Sequence, residues 1–206
     1  MKVLLVNGSP HAKGCTYTAL CEVEKELNAN GIDTEIIQLG TKPIGGCLGC
    51  GACASLGKCV QNDILNEVAD KFKEADGYVF GSPVHYAAPS GAIVSFMDRL
   101  FYSCGKAMAY KPAACIVSAR RGGTTAAYDQ LNKYIGINNM LMVPAPYWNM
   151  VHGSKAEDVL KDEEGLQIMR MIGKNMSWLL KLIESGKETG LTHPEMEAKI
   201  KTNFIR

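Results

Sequence analysis

The chain has 206 residues, 47% of them hydrophobic and 21% charged, and its 22 basic and 21 acidic side chains leave a formal net charge of +1. This is ordinary globular usage, and so even a balance offers no footing for nucleic acid or an acidic membrane face as a partner. The length suits one domain of about 100–200 residues with a substantial core, so a single domain over residues 1–206 is expected.

The N-terminal stretch MKVLLVNGSP holds one short apolar run, Val3 to Val6, too brief for the apolar region of a secretion signal. No segment approaches the roughly 18 apolar residues of a membrane span. A cytoplasmic location without membrane contact is therefore expected. Thiols there are mostly reduced, so clustered cysteines read as metal-binding or catalytic before they read as disulfides.

In chain order, KVLLVN (2–7) reads as a strand and 15–29 as a helix. TEIIQL (34–39) is a second strand, followed by a cysteine-rich loop at 41–60 and a helix at 61–75. GYVFGS (77–82), ACIVSA (114–119) and MLMVPA (140–145) are further strands, separated by helical segments at 90–103 and 124–138. Leu160, Met169, Ile172, Met176, Leu179, Leu180 and Ile183 recur at helical spacing, so 155–185 is expected to be one long final helix packed on the sheet. The polar tail from Leu191 to Arg206 carries no clear signal. Strands alternating with helices predict an α/β fold with five parallel strands covered on both faces, because parallel neighbours need helical crossovers.

In such a sheet ligands bind beyond the carboxyl ends of the strands. The first loop there, NGSPHAKGCT (7–16), lacks G-x-G-x-x-G and the P-loop pattern. It does offer hydroxyls at Ser9 and Thr16, a cation at Lys13, an ionisable imidazole at His11, and backbone amides at Gly14, Cys15 and Thr16 opening a helix, a setting that suits a terminal phosphate. The second, GSPVHYAAPSG (81–91), has stiffening prolines at Pro83 and Pro89, with Val84, His85 and Tyr86 between them as surface for a flat ring. The third, SARRGGT (118–124), places Ser118, Ala119, Arg120, Arg121, Gly122 and Gly123 where backbone and cations can approach a ring edge. A phosphate loop, a ring face and a ring edge together are what flavin mononucleotide requires.

These three motifs resemble the flavodoxin-like NAD(P)H-dependent FMN reductase family, whose first loop usually reads G-S-P-R-x-x-G-N-T and whose second reads S-P-V-Y. The resemblance covers roughly residues 1–150. It implies a flavodoxin-like three-layer sandwich of strand order 2-1-3-4-5, bound FMN, and homo-oligomeric assembly as a dimer or a tetramer of dimers. His11 departs from the usual arginine, Cys15 from asparagine and His85 from tyrosine. A neutral imidazole at His11 gives a phosphate less than a guanidinium would. Cys15 still supplies a backbone N–H, and His85 suits stacking or surface exposure more readily than proton donation.

Cys47, Cys50, Cys53 and Cys59 follow the spacing C-x2-C-x2-C-x5-C, which looks like the iron–sulfur flavoprotein branch of that family. Structural zinc usually takes two ligand pairs a dozen or more residues apart, whereas a compact loop suits the corner irons of a cubane. One [4Fe–4S] cluster is the favoured reading; zinc, free thiols without metal, and disulfide or redox-thiol use stay open. Asp98–Arg99 looks like an acid–base pair, but neighbours on a helix point about 100° apart, which favours a structural ion-pair role. His152 and His193 receive no role, and Cys21, Cys104 and Cys115 read as core.

The expected activity is FMN-dependent electron transfer, from a ferredoxin or NAD(P)H through the cluster and FMN to a small acceptor. The alternatives are an NAD(P)H-dependent FMN or quinone reductase without a cluster, and a non-enzymatic FMN-binding redox sensor. No catalytic acid or base is required, since the cofactors carry the chemistry.

Overall fold

The apolar run after Lys2 is buried on both sides, and the alternation of a strand divides it between two cores. Leu4 and Val6 point to one, Val3 and Leu5 to the other. A computed structural model describes residues 1–204; positions 205 and 206, the end of the tail read above, lie outside the described residues. Strand β1 (Lys2–Asn7) leads into helix α1 (Cys15–Ala29) and strand β2 (Asp33–Gln38), and the cysteine loop that follows contains the short helix α2 (Cys53–Leu56). Then come α3 (Ile64–Glu74), β3 (Gly77–His85), β4 (Ala88–Pro89), α4 (Gly91–Met108), β5 (Pro112–Ala119) and α5 (Thr124–Ile137). The chain closes with β6 (Leu141–Met142), β7 (Met150–His152), α6 (Ala156–Val159) and α7 (Glu163–Glu188).

The sheet runs β2-β1-β3-β5-β6, all parallel, with β4 antiparallel on β3 and β7 parallel on β5. Helices α3, α4 and α5 cover one face, through Phe72, Phe96 and Leu131 among others. Helices α1 and α7 cover the other, through Leu20, Val23, Ile172 and Met176. The fold is the α/β, flavodoxin-like arrangement, with the strand ends of β1, β3 and β5 on one edge.

Among the described residues seven strands replace the expected five. The segment after Pro83 forms a hairpin instead of an open loop, with His85 paired to Ala88 across a two-residue turn. Tyr86 and Ala87 in that turn have φ of 50° and 60°, the signature of a type I′ turn, whose twist matches a hairpin. The expected strand at 140–145 splits. Val143 still donates to the Ala113 carbonyl at 2.9 Å, but Pro144 and Pro146 have no N–H for the ladder, so the chain leaves and returns as β7 beside Val117–Ala119. The expected single helix over 155–185 also breaks, because Asp162 caps a new start by accepting from Gly165 N at 2.9 Å. No helix among the described residues is long and apolar enough to cross a membrane.

Candidate functional site

Two of the five helices packed on the sheet start without a side-chain cap. Helices α3, α4 and α7 are capped by the side chains of Asp63, Ser90 and Asp162. Helices α1 and α5 have none, with Gly14 and Gly123 at their caps. Their first-turn amides and positive dipole ends are therefore left for solvent or a ligand. Next to them lies a cleft of about 830 Å³, within the usual range of about 300–1,000 Å³ for cofactor sites.

A hydrogen-bond network sets the shape of the first cleft loop. Ser9 N donates to Asn7 Oδ1 at 3.1 Å and Ser9 Oγ accepts from His11 N at 3.1 Å, leaving the Ser9 hydroxyl proton to a ligand. Gln38 Nε2 donates to the Ser9 carbonyl at 2.7 Å while Gln38 Oε1 accepts from Asn7 Nδ2, so the end of β2 holds the loop from beneath. Ser90 Oγ donates to the Gly8 carbonyl at 2.7 Å, fastening the same loop to the start of α4. Thr16 Oγ1 and Ser118 Oγ are 2.8 Å apart and both residues are buried, which joins the first and third loops.

Of the residues singled out from the sequence, Ser9, His11, Lys13, Gly14, Cys15 and Thr16 line the cleft. So do Pro83, Val84 and His85, and Ser118, Ala119 and Arg120. Tyr86 does not, since the hairpin turn projects its ring fully into solvent. Gly122 is exposed and outside the lining, and Gly123 stands behind the wall: it has φ of 90°, and a Cβ there would sit 2.7 Å from Ala87 Cα, so glycine is what lets the hairpin lie against α5. Burial pushes the Cys15 thiol pKa up, the backbone hydrogen bond at the helix start pulls it back in part, and Asp158 and Glu157 add to the rise. This thiol is therefore protonated near neutrality.

The sequence reading missed a fourth wall, Gly153 to Glu157. Cys15 Sγ donates to the Gly153 carbonyl at 3.5 Å, and Asp158 Oδ2 accepts from Ser154 N and Lys155 N at 3.0 and 3.2 Å. These residues follow β7 just as the first loop follows β1. Their signal was hidden because a strand of three residues leaves no readable period. His152 N donates to Asp162 Oδ2 at 2.6 Å, which ties this wall to the α7 cap. His193 stacks on Tyr110 at 4.3 Å, away from the cleft.

Cys47, Cys50, Cys53 and Cys59 line a separate cavity of about 140 Å³, together with Leu48, Arg99 and Tyr102. Cys47 and Cys50 are exposed, Cys53 and Cys59 half-buried, and all eight cysteines are free thiols. Gly49 and Gly51 flank Cys50 with φ of 63° and 69°, which turns the chain on both sides of that thiol. Among the described residues no three His, Cys, Asp or Glu side chains gather as a set for a single metal ion. Four thiols from one short loop lining a single cavity are the donor set that a polynuclear sulfur-ligated group takes. Of the Asp98–Arg99 pair on α4, Asp98 accepts from Tyr134 Oη and Arg99 pairs with Asp63. Arg99 does form a structural ion pair, but its partner lies on another element.

A family model described as NADPH-dependent FMN reductase matches residues 1–155. The chain belongs to that family. An iron–sulfur flavoprotein of Methanocaldococcus jannaschii is 32% identical over 192 residues, covering 89% of this chain and all of that protein. One from Methanosarcina thermophila is 25% identical, covering 91% of this chain and all of its own length. These relatives place the chain in the iron–sulfur flavoprotein branch of the FMN reductase family. A solved archaeal flavodoxin, 16% identical, superposes with a TM-score of 0.62 over 88% of this chain and 99% of its own, which supports the fold. This FMN reductase family member is an FMN-dependent oxidoreductase, and its cleft suits the cofactor: an uncapped helix start and the Ser9 hydroxyl for a phosphate, and Pro83, Val84 and Ala119 for a ring.

Proposed function

We propose that the chain carries electrons from a ferredoxin or NAD(P)H through a [4Fe–4S] cluster and FMN to a small acceptor such as a quinone. The observation that carries this reading is the pair of separate cavities: one lined by the four closely spaced cysteines, the other by the three loops at the strand ends. They have no lining residue in common, so each can be filled independently. FMN when bound accepts electrons singly or in pairs, and a cluster passes them singly.

The residues of this chain bind and orient. Ser9, the amides of α1 and the side chains of Lys13 and His11 hold the phosphate end, with the α1 dipole favouring its charge. Val84 and His85 border the ring face, while Ser118, Ala119 and Arg120 border its edge, where a cation or amide N–H favours the charge that reduction adds. Cys47, Cys50, Cys53 and Cys59 hold the cluster. The whole chain serves one flavin domain, with the loop at 41–60 and the C-terminal segment from 155 as its additions.

Strand β2 is an edge strand, so the cysteine loop that follows it lies at the periphery, with Leu48 and Tyr102 exposed around its cavity. Apolar surface beside a redox group favours coverage by another subunit. In a homo-oligomer, dimeric or a tetramer of dimers, the cysteine loop of one subunit would lie toward the flavin cleft of the next, where Cys47, Cys50, Cys53 and Cys59 would hold the cluster that supplies single electrons.

Anaerobic purification with iron, acid-labile sulfide and flavin determination tests the reading, with four irons and one FMN per chain expected. Cys50→Ser is expected to lose the iron and keep the flavin. Flavin without iron in the wild type would instead support a cluster-free reductase, a second reading favoured by the flavin cleft drawing no wall from the cysteine loop.

A further inference from the structure

Arg99 is the largest fully buried side chain among the described residues, at 1% exposure, and its donors go to the cysteine loop and to Asp63 just beyond it. Nη1 donates to Asp63 Oδ2 and, at 3.2 Å, to the Gly45 carbonyl. Nη2 donates to Asp63 Oδ1 at 2.9 Å and to the Gln61 carbonyl at 3.0 Å. Nε, the remaining donor, reaches Cys59 Sγ at 3.2 Å. Together these use every N–H of a guanidinium.

We infer that Arg99 is the positioning residue of the cysteine site, aiming the Cys59 sulfur and closing both ends of the loop onto α4. The inference rests on the cluster reading above. Gly45 precedes the first cysteine and Gln61 and Asp63 follow the last, so one planar fork cinches the loop where it enters and leaves. A lysine, a point charge with a single nitrogen, cannot make that set of contacts. One helical turn further on, the Tyr102 carbonyl accepts from Cys53 Sγ at 3.6 Å, so the same face of α4 addresses two of the four thiols. An N–H donated to a ligating sulfur withdraws electron density from it, and a nearby cation favours the more negative reduced state, so Arg99 also raises the potential of a group bound there.

The test uses full-length protein, with Arg99→Lys and Arg99→Gln beside the wild type. In iron-free protein, amide hydrogen exchange over residues 45–63 is expected to rise about tenfold or more in both variants, the scale of losing charge-assisted hydrogen bonds, with β1 and β3 unchanged. After anaerobic reconstitution, the cluster midpoint potential of Arg99→Gln is expected to be more negative than wild type while the flavin potential stays put. Should either variant fail to fold, Asp63→Asn decides: it loosens the fork but keeps the Nε contact, so raised loop exchange with a near-wild-type potential supports the assignment. Unchanged exchange and potential, in a wild type that takes up four irons, overturn the Arg99 role alone. A wild type that takes up no iron removes the cluster reading, and the ligand-aiming role with it.

Discussion

Thr16 Oγ1 and Ser118 Oγ meet at 2.8 Å across 102 positions of sequence, and with this contact the start of α1 is tied to the end of β5 on the cleft floor. Removing one hydroxyl leaves the other buried without that partner. Thr16→Val and Ser118→Ala are each expected to lower unfolding free energy by about 0.5–1.5 kcal/mol. In a double-mutant cycle followed by urea denaturation, the second substitution should cost less than the first.

Ser9 is buried with its hydroxyl proton unused by the loop. A bond to a phosphate is charge-assisted and contributes about 1.5–3 kcal/mol. Ser9→Ala is expected to weaken FMN by roughly 10- to 100-fold and to leave riboflavin, which lacks the phosphate, nearly unaffected. Flavin fluorescence quenching measures both, and equal weakening would contradict the phosphate assignment.

Gly123 combines a positive φ with a Cβ position 2.7 Å from Ala87 Cα. Gly123→Ala strains the backbone and pushes against main chain that cannot rotate aside, at a cost of about 1–3 kcal/mol. Because Val84 lies on the same side, 3.2 Å from that Cβ position, flavin affinity should fall along with the denaturation midpoint.

Cys115 is fully buried in β5, and desolvation raises its pKa far above the ordinary thiol value. As pH rises past about 8.5, the unfolded chain releases this proton and the folded chain keeps it, so the unfolded state binds fewer protons and stability falls. The contribution is complete below the ordinary thiol pKa and declines by up to about 1.4 kcal/mol per pH unit above it. Cys115→Ala is expected to flatten the loss of thermal stability between roughly pH 8.5 and 10.

Helices at 15–29 and 124–138 were legible almost to the residue, because apolar periodicity and the glycines at their caps are local properties. The three cleft loops were legible for a related reason: in a parallel sheet every strand end of one sense falls on one edge, so position along the chain predicts position in space. Tyr86 was misplaced, since its neighbours do not reveal that the turn after His85 reverses by a hairpin and directs the ring outward. Residues 153–157 were missed because prolines split the last strand, and a three-residue return to the sheet depends on β5 being there to receive it.

The sequence by itself determined the α/β alternation, the family motifs and the four-cysteine spacing, all written in residues close together along the chain. The tertiary structure alone decided that Arg99, 40 positions after Cys59, comes to lie against its sulfur. A buried guanidinium needs partners for every donor, and only the packing of α4 under the cysteine loop brings Gly45, Cys59, Gln61 and Asp63 within its reach.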